Sequence, residues 1–142
     1  MAIEVTKADG ILTLAFNRIE RKNAITSSMY QTLADAINAA QDDTEVRAIL
    51  LAGKPEVFTA GNDLEDFMKT TRANDGVAFG DRPVFQFMRA LSGSAKPVVA
   101  AVSGLAIGIG TTLLMHCDLV YAADSAKFSV PFTQLGLCPE FG

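Results

Sequence analysis

Pro97-Val98-Val99-Ala100-Ala101-Val102-Ser103-Gly104-Leu105-Ala106-Ile107-Gly108-Ile109-Gly110-Thr111-Thr112-Leu113-Leu114-Met115 is a run of 19 residues without a charge. That is about the length of a membrane helix. Gly104, Gly108 and Gly110 interrupt it, however. Val98 to Val102 is a β-branched stretch of the kind that fills a fully buried strand. Thr111 to Met115 has the character of the first turns of a helix. A buried strand, a glycine turn and a buried helix account for the uncharged run without a membrane.

The rest of the chain agrees with a water-soluble domain. It has 142 residues, a net charge of −4 and 49% hydrophobic residues. This is enough chain for one domain with a core, and too apolar for disorder. Without clustered Lys and Arg there is no electrostatic footprint for nucleic acid. Cys117 and Cys138 cannot form a disulfide framework and fit a reducing, cytoplasmic setting. The start, Met1-Ala2-Ile3-Glu4, has no basic region followed by an apolar stretch, so no secretory signal is read.

Ile3–Val5 and Ile11–Phe16 are apolar runs on either side of Asp9-Gly10, a hairpin turn pair. Asn17 to Asn23 is a polar loop with three positive charges. Ser28 and Gln31 have capping-box spacing, and Met29, Leu33, Ile37 and Ala40 follow at helical spacing. Val46–Leu51 has the pattern of a buried strand stopped by Gly53 and Pro55. Phe58 to Asn62 forms a short strand that runs into a loop, and a helix starts over Asp63–Lys69. Thr70 to Asp81 has little periodicity. Pro83 opens a helix with Val84, Phe87, Met88 and Leu91 on one face, closed by Ser92-Gly93-Ser94. Cys117–Ala122 and Lys127–Val130 are further strands. Strands alternating with helices predict an α/β fold with mainly parallel pairing. The absence of a helix after the last strand and loop leads us to expect further chain beyond residue 142.

Most polar motifs have a structural reading. Gly108-Ile109-Gly110 lacks the third glycine of a dinucleotide loop, because Leu113 occupies that position. A strand, glycine turn and helix still presents amides able to stabilise negative charge. Ala60-Gly61-Asn62-Asp63 is a second such turn, and two turns could each give one N–H to a single oxyanion. His116 is the single histidine. With no second Cys/His pair at ligand spacing it makes no zinc site, and it is read as a helix-terminal residue. Asp118 is expected to cap or pair locally, and Cys117 and Cys138 to be small core residues. Glu140, after Pro139, has apolar neighbours that would raise its pKa and suit it to proton transfer. A loop glutamate is more often merely solvated.

Taken in order, four sets of residues resemble the crotonase (enoyl-CoA hydratase/isomerase) superfamily. They are Asn17-Arg18 through Lys22-Asn23-Ala24; Phe58-Thr59-Ala60-Gly61-Asn62-Asp63-Leu64; Lys96-Pro97 through Gly104 with Gly108-Ile109-Gly110; and Cys117-Asp118 with Leu135-Gly136-Leu137-Cys138-Pro139-Glu140. The resemblance spans essentially the whole chain. It implies an α/β spiral of ββα units, with residues 1–142 as a crotonase-like core domain lacking the C-terminal helices, and assembly as a trimer or dimer of trimers. It also implies an acyl-CoA thioester substrate, no separate cofactor, and no metal. The carbonyl would be polarised by the backbone N–H groups of Asn62 and Ile109. Lys22, Ala24, Ala60, Gly61, Asn62, Asp63, Leu64, Ile109 and Gly110 would hold the substrate.

The hydratases of the superfamily use two glutamates. At the matching positions this chain has Thr112 and Phe132, neither of which can replace a carboxylate. The Δ3,Δ2-enoyl-CoA isomerase branch, whose peroxisomal-type members share Gly61-Asn62-Asp63-Leu64 and Pro131-Phe132, needs one glutamate, which here is Glu140. The resemblance therefore implies an isomerase that moves a C3–C4 double bond to C2–C3. Three alternatives stay open: a non-catalytic acyl-CoA-binding or assembly subunit, a hydratase variant, and an acyl-CoA hydrolase using other residues. A peroxisomal location also stays open.

Overall fold

The computed structural model describes residues 1–142. Strands β1 (Ile3–Ala8) and β2 (Ile11–Phe16) form the expected antiparallel hairpin. Asp9 and Gly10 both adopt positive φ, 53° and 82°, as a two-residue hairpin turn demands. Helix α1 (Ser27–Asp42) follows, then strands β3 (Ala48–Ala52) and β4 (Val57–Thr59) and helix α2 (Leu64–Arg72). Helix α3 (Pro83–Ser92) leads to strands β5 (Val98–Val102) and β6 (Leu105–Ile107) and the short helix α4 (Ile109–Thr112). Strands β7 (Leu119–Ala122) and β8 (Lys127–Ser129) come last.

Two sheets result. The larger runs β1-β2-β3-β5-β7 and is parallel after the hairpin; the smaller runs β4-β6-β8 and is parallel throughout. From β3 onward the chain lays one strand in the large sheet and the next in the small one. A helix closes the first two of these units, giving two strand–strand–helix repeats and the strand pair of a third.

Alternation along the large sheet sets the core. Leu12, Leu14 and Phe16, then Ile49 and Leu51, then Val98, Ala100 and Val102 all point inward. Helices α1 and α3 pack on that face through Met29, Leu33, Ile37, Phe87 and Leu91. Phe16 and Phe58 meet edge-to-face at 5.3 Å.

Several expectations change. Val98–Val102 is buried on one face only, with Ala101 exposed, because no helix covers its other side. The uncharged run also holds an extra strand, β6, between its glycines, and its helix breaks into α4 and a 3-10 turn, Leu113–His116. The cap of α1 is Thr26, not Ser28. Thr26 has extended backbone and its Oγ1 accepts the Met29 N–H at 3.4 Å, so the helix starts earlier, at Ser27. Thr70–Arg72 continues α2, and Phe79–Asp81 forms a 3-10 turn within the segment of little periodicity.

Asp118 does not cap locally. Its carboxylate accepts the Val98 N–H at 2.7 Å while its own N–H donates to the Val98 carbonyl, tying the starts of β5 and β7. Cys138 is exposed on the closing loop; Cys117 packs against the core, and burial, with Asp118 nearby, pushes its thiol up to about 11. His116 does end a helical turn. No helix is long and apolar enough to cross a membrane.

Strand β7 is an exposed edge: Leu119, Val120 and Tyr121 all face solvent, as do Phe128, Val130, Leu135 and Leu137 further on.

Candidate functional site

The site is built where β4 and β6 end. These strands are parallel neighbours, with Val57 opposite Leu105 and Thr59 opposite Ala106, so the two glycine turns that follow them lie side by side. Crevices beyond the carboxyl ends of parallel strands are common ligand sites.

The first turn is pinned by the polar loop after β2. Asn23 is fully buried; its Nδ2 donates to the Val57 and Phe58 carbonyls and its Oδ1 accepts the Arg18 N–H. Thr59 Oγ1 donates to the Asn23 carbonyl at 2.6 Å and accepts the Gly61 N–H. Gly61 has φ +86°, and a Cβ there would sit 2.7 Å from the Ile107 carbonyl oxygen, so only glycine fits between the turns. The Ile25 N–H donates to the Gly61 carbonyl and the Asp63 N–H to the Ile25 carbonyl. The Asn62 N–H between them makes no hydrogen bond within the chain.

Asp63 caps α2 by accepting the Asp66 N–H and pairs with Arg18 at 2.7 Å. Those contacts, the cap first, hold its carboxyl below the usual carboxylate range.

The second turn places Ile109 at the first position of α4, where a helix leaves its N–H without an intrahelical partner. Gly110 has no room for a side chain: a Cβ would lie 2.6 Å from Thr59 Cγ2 and 3.0 Å from the Thr59 carbonyl oxygen. This contact presses the two turns together.

Glu140 arrives from the closing loop. Its Oε1 accepts a hydrogen bond from Asn62 Nδ2 at 2.6 Å, and Asn62 Oδ1 accepts one from the Tyr30 hydroxyl at 2.5 Å. The neighbouring Phe141 ring stacks on His116 at 3.8 Å, and its carbonyl is bonded to His116 Nε2. Burial raises the Glu140 pKa, partly opposed by the Asn62 hydrogen bond.

Two cavities meet at this point. One, of about 590 Å³, is lined by Ala24, Ala60–Leu64, Ile109, Phe132 and Glu140, with Arg21 at its wall. The other, of about 350 Å³, is lined by Tyr30, Phe67, Phe79, Val84 and Phe85 among others. Asn62, Asp63, Phe67 and Glu140 line both. Of the acidic groups on these walls, Asp63 is committed to Arg18, and Asp66 accepts from the Ser27 N–H and hydroxyl. Glu65 is exposed.

Of the residues singled out in the sequence, Ala24, Ala60, Gly61, Asn62, Asp63, Leu64, Ile109 and Glu140 share one cavity wall. Lys22 and Gly110 lie outside it. Lys22 is exposed and contributes its carbonyl to the Ala60 N–H; Gly110 is packed against Thr59. Thr112 is buried away from both cavities, and its hydroxyl has no partner.

Sequence reasoning missed Arg21, Phe67 and Tyr30. Arg21 is next to Lys22 in the same basic loop. Tyr30 falls on the inner face of α1, and a buried hydroxyl requires a partner. No three His, Cys, Asp or Glu side chains come together as a metal-binding group.

The family model for enoyl-CoA hydratase/isomerase matches residues 6–142, and the chain belongs to that family. It is 41% identical over 140 residues to enoyl-CoA delta isomerase 2 of Rattus norvegicus, covering 97% of this chain and 35% of the relative. It is 40% identical over 133 residues to a probable enoyl-CoA hydratase, echA8, of Mycobacterium leprae, covering 94% of this chain and 49% of that one. The solved structure of Pseudomonas aeruginosa OdaA superposes with a TM-score of 0.90 at 47% identity, covering 99% of this chain and 55% of that chain. The fold is the crotonase fold, and the chain spans about half or less of the length of the curated relatives it matches.

Proposed function

We propose that this chain carries the active site of an acyl-CoA isomerase that converts 3-enoyl-CoA to 2-enoyl-CoA. The observation that carries this reading is the position of Glu140: held by Asn62, at the junction of both cavities, while Thr112 lies outside them. The relative named enoyl-CoA delta isomerase 2 supports the same reaction class.

In this reading the thioester carbonyl oxygen sits between the N–H groups of Asn62 and Ile109. The CoA moiety runs along Ala24 and Ala60–Leu64 past Arg21, and the acyl chain enters the smaller cavity. Glu140 removes a proton from C2. The electron pair moves through C2 onto the carbonyl oxygen, giving a dienolate whose negative charge faces the two amides. Losing one such donor costs about 10²–10³ in rate. Glu140 then returns the proton to C4, and the double bond is left at C2–C3. No water is added, so a single carboxylate suffices. A pKa raised toward neutrality serves both halves, because the same group must accept and donate. The assembled enzyme is proposed to be a trimer or a dimer of trimers, with no separate cofactor.

The test is to incubate the full protein with a 3-enoyl-CoA and follow the conjugated 2-enoyl product by its ultraviolet absorbance. Formation of that product supports the reading. Hydration of 2-enoyl-CoA, or release of free CoA, without isomerisation would replace it with a hydratase or hydrolase.

A further inference from the structure

We propose that Tyr30 is a positioning residue for Glu140 and acts through the Asn62 side chain. This rests on the isomerase reading for its kinetic consequence but not for its structural one.

The argument starts from the amide of Asn62. An amide can present either its oxygen or its nitrogen to a neighbour, and the two choices have opposite effects on a carboxylate. With Nδ2 toward Glu140 it donates and favours the ionised base. With Oδ1 toward Glu140 it would repel the carboxylate and favour the protonated acid.

Tyr30 decides between them. Its hydroxyl is a donor fixed at 2.5 Å from Asn62 Oδ1. The residue is 3% exposed on the inner face of α1, with its ring tilted against Phe87 at 5.5 Å. Burial, with the charges of Glu140 and Asp66 nearby, holds the phenol protonated far above neutral pH. Tyr30 therefore remains a donor wherever the protein works. Oδ1 is kept on its side and Nδ2 is left aimed at Glu140, 2.6 Å away.

Other titratable and charged groups face the two cavities around Glu140 without bonding to Asn62. Arg21, Asp63, Glu65 and Cys138 line the larger cavity, and Asp63, Asp66 and Arg82 the smaller one. His116 touches the Phe141 carbonyl on the same loop. Replacing the Tyr30 hydroxyl leaves all of them in place.

The experiment compares wild type, Tyr30→Phe, Asn62→Ala and the double variant in the full chain. The Glu140 carboxyl pKa is read by ¹³C NMR titration, and kcat and KM are measured with 3-enoyl-CoA. The expected result for Tyr30→Phe is an upward shift of the Glu140 pKa, because Asn62 is free to turn its oxygen inward. The acidic limb of the rate profile moves to higher pH with it. Turnover falls about tenfold, the scale of one lost hydrogen bond, and KM stays near its wild-type value. In the Asn62→Ala background, removing the Tyr30 hydroxyl adds nothing.

A merely structural role gives the opposite sign. Loosened packing lets water reach Glu140 and lowers its pKa. A downward or absent shift, or additive effects of the two substitutions, would overturn the proposal. A wild-type protein that fails to isomerise 3-enoyl-CoA would sink the isomerase reading, while the NMR titration would still decide the role of Tyr30.

Discussion

Asn62 donates its side-chain amide to Glu140 at 2.6 Å while its own backbone N–H makes no hydrogen bond within the chain. One residue thus ties the candidate base to the candidate carbonyl seat, while the Phe141 contact with His116 anchors the loop that carries Glu140.

The most direct prediction concerns the base. Glu140→Gln keeps the size and removes the proton acceptor. Isomerase kcat is expected to fall at least about 10²-fold, with little change in acyl-CoA affinity, because the backbone donors are untouched. Single-turnover kinetics together with equilibrium binding of an acyl-CoA would check this. Near-normal turnover would place the chemistry on another residue.

The same variant has a stability signature. The folded-state pKa of Glu140 is raised above its unfolded value, mainly by burial. A carboxyl raised in this way contributes stability at pH below its unfolded pKa and loses that contribution as pH rises through its folded pKa. Glu140→Gln removes a carboxylate that is unfavourably buried at neutral pH. Its melting temperature should therefore exceed that of wild type at pH 8 and approach it at pH 4. Thermal melts at the two pH values provide the comparison.

Thr112 offers a contrast. Its hydroxyl is buried without a partner, a state that costs about 1–3 kcal/mol. Thr112→Val replaces that hydroxyl with a methyl of similar shape, so denaturant unfolding should show unchanged or greater stability. Thr112→Ala should lower kcat far less than Glu140→Gln. A larger loss of activity at Thr112 would point back to hydratase-like chemistry.

Gly110→Ala tests the contact between the two turns. The new Cβ would meet Thr59 Cγ2 at 2.6 Å and the Thr59 carbonyl oxygen at 3.0 Å. Overpacking of this kind typically costs about 1–3 kcal/mol. Pushing the turns apart also moves the Ile109 amide away from that of Asn62, so kcat should fall together with the denaturation midpoint. Unfolding curves and turnover on the same preparation would show whether the two losses travel together.

The edge strand β7 presents Leu119, Val120 and Tyr121 to solvent. A hydrophobic edge of this kind is a pairing and aggregation site when nothing covers it. The 142-residue chain expressed by itself should bind a hydrophobic dye and self-associate, and be inactive or poorly soluble. Val120→Lys should reduce the association in analytical ultracentrifugation. A monomeric, fully active 142-residue protein would refute this.

The sequence revealed the hairpin, because Asp9-Gly10 permits few other turns, and it revealed α1 and α3 through the spacing of their apolar residues. It also marked both glycine turns and Glu140. It did not reveal β6, because Leu105–Ile107 is three residues long and sits inside a run of uniform hydropathy. It placed the cap of α1 late, because Thr26 and Ser28 are chemically equivalent until the backbone angles are known. The link from Tyr30 to Glu140 joins residues 110 positions apart through a third residue, and no local pattern encodes it. Asp118 was misjudged for the same reason: its partner, Val98, is 20 residues away.

The contact of Gly110 with Thr59 bears on how such a protein can change its chemistry over time. The two amides are fixed by strands and glycines deep in the structure, whereas Glu140 is carried on a loop that reaches the site from outside and is held there by side-chain contacts, Asn62 with Glu140 and His116 with Phe141. In the proposed reading, mutation can therefore exchange the acid–base group, or recruit one from another position, while the proposed seat for the thioester oxygen is inherited intact. The architecture separates a part that cannot vary from a part that is free to, and new reactions of the same substrate class become accessible through substitutions in the second part alone.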